Sequence, residues 1–152
     1  MKDIDTLLNE YGESHQNRTN RKIHWVCVPA IVFSLFGLLW SLPFPIKISP
    51  LINWVTILIV LALIYYLLLS WRLACGMLFS SLFMILILRW MDSFSVPLWR
   101  IAVAIFIVAW IGQFIGHHIE GKRPSFFKDI QFLLIGPVWL FADVYRKFNL
   151  SY

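Results

Sequence analysis

From Ile23 to Leu42 the chain runs for twenty residues with His24 as its only ionisable side chain. At ~1.5 Å of helix rise per residue that is ~30 Å, the thickness of a bilayer's hydrocarbon core. Further apolar runs follow from Leu51 to Leu69, from Leu73 to Leu88 with Arg89 and Trp90 at its edge, and from Val96 or Leu98 to Ile115. Inside lipid every backbone polar group must find its partner within the chain, so these runs read as helices. The balance of 60% hydrophobic against 14% charged residues and a mean hydropathy of +0.75 leave too little polar surface for a soluble domain of this size. The expected fold is an all-α integral membrane bundle, one domain over residues 1–152, with about four transmembrane helices.

Two flanking segments are too short or too polar to span. Residues 1–22 carry half of the acidic groups, with Leu7, Leu8 and Tyr11 at helical spacing, which predicts an N-terminal amphipathic helix at the interface. Thr19 or Asn20 is placed to cap the helix that follows, and Pro29 to kink it. Ile130 to Ala142 is thirteen residues broken by Gly136-Pro137, which predicts a short re-entrant or interfacial helix before Asp143, Arg146 and Lys147 end the chain in water.

Charge orients the bundle. With four spans and the amino terminus inside, ten of the thirteen Lys and Arg fall on the cytoplasmic side and only Lys47, Arg89 and Arg100 outside. The net charge of +5 is then a property of cytoplasmic loops, and nucleic-acid binding, which needs a basic stripe on a soluble fold, is excluded. Both termini and all four histidines fall on the cytoplasmic face. With no organelle or cleavable signal recognisable, the expected location is a bacterial inner membrane, with membrane lipids as neighbours. Cys27 and Cys75 lie in apolar runs without a C-x-x-C pairing and read as packing residues.

The chemistry concentrates at Gly112–Pro124. On a helix Gln113, His117 and Glu120 stand at i, i+4 and i+7 and share a face, whereas His118 points ~100° away. Gly112 and Gly116 would let a neighbouring helix approach beside them. His15 and His24 are nine residues apart, on opposite faces of any continuous helix, so they converge only if the chain turns between them. Imidazole with carboxylate favours a divalent transition metal, with His15, His24, His117 and Glu120 as ligands and His118 the weakest candidate. Such a set could form an open Fe(II) site for substrate and dioxygen, or a zinc site that activates water for lipid hydrolysis. A non-enzymatic membrane scaffold, with interfacial histidines, is the third reading. Gln113 would hold His117 or Glu120 in place, or bond between helices. Lys122 and Arg123, with Lys128 and Asn20 nearby, would hold the carboxylate of an acyl substrate, or contact anionic lipid. No Gly-x-Ser-x-Gly elbow, phosphate loop or His-Glu-x-x-His motif is present.

The two segments Tyr11-Gly-Glu-Ser-His-Gln-Asn-Arg-Thr-Asn-Arg-Lys-Ile-His24 and Gln113-Phe-Ile-Gly-His-His-Ile-Glu-Gly-Lys-Arg-Pro124 resemble a family of small membrane proteins, long a domain of unknown function, whose fungal member is a 2-hydroxy fatty acid dioxygenase. The resemblance extends over nearly the whole chain. It implies an Fe(II)-dependent enzyme of fatty acid alpha-oxidation that converts a 2-hydroxy fatty acid and O2 to a product one carbon shorter. The family histidines match His15, His24 and His117, and its acidic residue matches Glu120, with Glu120 and Gln113 as the groups expected to assist catalysis. Arg18 stands where the pattern usually has Pro.

Overall fold

The computed structural model describes residues 3–45, 52–124 and 131–152, and among them every element is an α-helix. In chain order these are α1 (Ile4–Gly12), α2 (Arg18–Trp40), α3 (Trp54–Leu69), α4 (Trp71–Met91), α5 (Leu98–Glu120) and α6 (Phe132–Lys147). Most of the loop expected at Leu42–Pro50, and Lys128, lie outside the described residues.

Local chemistry sets the helix starts. The Asp3 carboxylate accepts from Thr6 N at 2.7 Å to cap α1. Asn17, rather than Thr19 or Asn20, caps α2, its side-chain oxygen accepting from Thr19 N at 2.8 Å and from Asn20 N. Arg18 is therefore the first helical residue, a position that Pro also favours, so its departure from the family pattern leaves the turn intact. Pro29 lies inside α2 without ending it. Ser70 alone joins α3 to α4.

Among the described residues three helices, α2, α4 and α5, are long and apolar enough to cross a membrane. The second expected span is shorter than its sequence suggested. Asn53 caps α3 at one end and the extended backbone of Ser70 closes it at the other, leaving 16 residues, or ~24 Å. Val26, Phe79 and Val108 stand about 70% exposed on the outer faces, a surface suited to lipid rather than water.

The most extensive packing joins α2 and α5. They run antiparallel, since Gly37 near the end of α2 faces Ala102 near the start of α5 while His24 meets His117 at the other end. A Cβ built on Gly112 would lie 2.6 Å from Cys27 Sγ, so the glycine is what lets the helices touch here.

The ends of the chain correct two expectations. The apolar face of α1 is turned into protein, with Leu7 and Leu8 each 1% exposed in a core shared with Ile135, Val138 and Trp139 of α6. The last apolar segment is one continuous helix through Gly136-Pro137 and is longer than thirteen residues. Burial of Ile135, Val138 and Ala142 offsets the hydrogen bond that Pro137 forfeits. Asp143 does not end in water, because it pairs with Arg21 of α2 at 3.0 Å and so fastens α6 beside the start of that helix.

Replacing Gly112 by Leu should separate α2 from α5 and lower stability by about 1–3 kcal/mol. Thermal unfolding in detergent checks this against Ile111→Leu, on the exposed face, which should leave the midpoint unchanged.

Candidate metal centre

His15 lies three residues beyond α1, in a tight turn closed by His15 N donating to Gly12 O at 3.0 Å. The chain then reverses into α2, which is the turn that convergence with His24 requires. The imidazole of His15 stacks on Tyr11, with ring centroids 4.1 Å apart and planes 13° from parallel. Its edge meets His24, at 4.3 Å between centroids, and His117, at 5.1 Å. All three rings are buried, and their candidate ligand nitrogens lie within 4.8 Å of one another.

Protons can be assigned from the partners. A carbonyl only accepts, so His15 Nδ1–H donates to Tyr11 O at 2.6 Å and His24 Nδ1–H donates to Asn20 O at 3.0 Å. Each leaves an Nε2 lone pair available. His24 Nε2 is 3.2 Å from His117 Nε2, a separation suited to two nitrogens each ~2.1 Å from one ion. Buried His15 Nε2 and His117 Nδ1 have no hydrogen-bond partner. An unsatisfied buried nitrogen costs roughly 1–3 kcal/mol, and a bound cation removes that cost for one aimed at it. Burial first, and then the neighbouring His24, push His15 down to about 3, so that it is a neutral donor at physiological pH. Three imidazoles without a thiolate suit iron, zinc, nickel or copper.

Glu120 is engaged by the loop that carries His15. Its Oε1 accepts from Gln16 N at 2.7 Å, and its Oε2 from Asn17 N and Asn20 Nδ2, each at 2.9 Å. One carboxylate at the end of α5 thus fastens the loop that carries His15. Asn20, fully buried, also donates from Nδ2 to Ser14 O, and Lys122 Nζ donates to Glu13 O at 2.7 Å. Both of these expected substrate contacts are engaged in holding the same loop.

Gln113 is buried one turn from His117 and reaches the His24 ring. With His117 it forms the polar wall of a cavity of ≈ 60 Å³ otherwise lined by groups such as Val28, Ile31, Trp110 and Pro137. His118 is exposed, as its place off the shared face predicts, and Arg123 is exposed beyond the end of α5. Sequence reasoning missed the aromatic support. Tyr11 was legible, four residues before His15, whereas Trp139, 5.4 Å from the His15 ring, comes from α6 with no local signal.

The chain matches, over residues 1–148, the family model described as Mpo1-like, 2-hydroxy-palmitic acid dioxygenase Mpo1-like. It is 31% identical over 147 residues to the 2-hydroxy-palmitic acid dioxygenase MPO1 of Saccharomyces cerevisiae, covering 95% of this chain and 81% of the yeast protein. No solved structure matches.

Glu120→Ala should release the His15 loop and weaken divalent-metal affinity by roughly 10–100-fold while leaving the helices folded. Metal titration monitored beside circular dichroism checks this, with His118→Ala expected to bind as the wild type does.

Proposed function

This chain belongs to the Mpo1-like family, and we propose that it is an Fe(II)-dependent dioxygenase taking a 2-hydroxy fatty acid and O2 to a fatty acid one carbon shorter. The observation that carries the reading is the buried trio His15, His24 and His117, of which His117 also lines a largely apolar cavity. Bound by these imidazoles, Fe(II) would activate dioxygen at its open coordination positions, while the four electrons that dioxygen takes come from the 2-hydroxy acid, whose carboxyl carbon leaves as carbon dioxide with one water formed.

The remaining groups have separable tasks. The bonds from Nδ1 of His15 and His24 to backbone carbonyls fix ring orientation and leave Nε2 of each to face the ion. Glu120 acts as a positioning residue through the loop, and its charge offsets that of a divalent cation nearby. Asn20 and Lys122 act in the same way. Gln113, in the cavity wall, offers its amide to the 2-hydroxyl group of the substrate. Arg123 takes the carboxylate at the rim by a charge-assisted bond. Val28, Ile31 and Trp110 keep water from the reacting end, which protects a reactive oxygen species from side reactions.

Purified protein reconstituted anaerobically with Fe(II) should consume oxygen when a 2-hydroxy fatty acid is added and release the acid one carbon shorter. His24→Ala should abolish both. Loaded protein that binds the acid yet consumes no oxygen would contradict the assignment, and hydrolysis of a lipid ester with zinc would replace it.

A further inference from the structure

The cavity at His117 is too small to take a fatty acyl chain, but two further cavities share its walls. Val32 and Pro137 line it and also line two further cavities, so these side chains stand where all three meet. One of the two, of ≈ 190 Å³, lies between α2, α4 and α6. The other, of ≈ 470 Å³, lies between α2, α3, α4 and α6, with Phe36, Ile59, Ala62 and Met77 in its wall. Only this larger chamber falls within the roughly 300–1,000 Å³ typical of small-molecule sites.

Direction and polarity both fit a lipid tail. Along α2, His24, Val28, Val32 and Phe36 occupy successive turns, so the path from the metal centre descends ~18 Å into the apolar part of the bundle. The chamber's largest polar side chain is Tyr66, and its hydroxyl donates to Leu134 O at 2.9 Å, which leaves the ring as an apolar wall. A polar head held among the histidines and an apolar tail led past Val32 match the two ends of one amphipathic acid.

We propose that the chamber between α2, α3, α4 and α6 receives the acyl tail of the substrate and sets its chain-length preference, a step that rests on the dioxygenase reading above. Ala62 lines only the larger chamber and Ser80 only the smaller cavity, so each can be filled separately. Fe(II)-loaded full-length protein would be assayed by oxygen uptake on a series of 2-hydroxy fatty acids from short to long, with metal content measured on each sample. Ala62→Phe should lower kcat/KM on the longest acids by about tenfold relative to the shortest, while Ser80→Phe keeps the wild-type profile. An unchanged profile in Ala62→Phe with metal retained, as expected if bilayer lipid fills the chamber, overturns the proposal, as does a shift caused by Ser80→Phe instead. Ile59→Phe provides the same readout if Ala62→Phe fails to keep its metal. Wild-type protein inactive on every chain length would overturn the dioxygenase reading itself, with the tail assignment falling with it.

Discussion

The carboxylate of Glu120 is the tie on which the site depends. His15 belongs to no helix, so helix periodicity cannot place it. It is held by a short turn whose far side, at Gln16, Asn17 and Asn20, donates three hydrogen bonds to Glu120. Charge-assisted bonds of this kind are roughly twice as strong as neutral ones. They also act at a helix end, one turn beyond His117, so a single side chain links the placement of the first imidazole to the helix that carries the third. Lys122 reinforces the link from the next turn by reaching Glu13 O.

The second condition is the close approach of α2 and α5. Glycines at 112 and 116 leave room for Cys27 and Asn20, and only at that spacing do His24 and His117 bring their Nε2 atoms to 3.2 Å. The histidine cluster is thereby built on two helices and one tethered loop. Packing in the lipid-facing bundle and the chemistry at its polar end are consequences of the same small residues. The cost is the buried His15 Nε2 left without a hydrogen-bond partner, an arrangement that makes physical sense when a cation completes it.

What could be read in the sequence follows from what is locally determined. Gln113 and His117 share a face because helical spacing fixes it, and His118 is excluded by the same rule. The need for a turn between His15 and His24 was legible as a geometric requirement. The bonds that Glu120 accepts were not, because a carboxylate can ligate a metal or accept N–H groups equally well, and those bonds depend on where the loop lies. Asn20 and Lys122 were read as substrate contacts for the same reason, whereas here they face that loop. Trp139 and the Asp143–Arg21 pair depend on how α6 docks, which no local pattern encodes. The last apolar segment read as broken at Pro137, yet burial against α1 and α4 keeps it one helix. The second span came out short because its length is set by the caps at Asn53 and Ser70 rather than by the apolar run.

The central claim is that three histidines from two helices and a loop hold one iron. Elemental analysis of detergent-purified protein loaded anaerobically with Fe(II), beside a variant with His15, His24 and His117 all replaced by Ala, tests it most directly. The account predicts close to one iron per chain in the wild type and none in the variant. Equal iron in both, or none in the folded wild type, would contradict it.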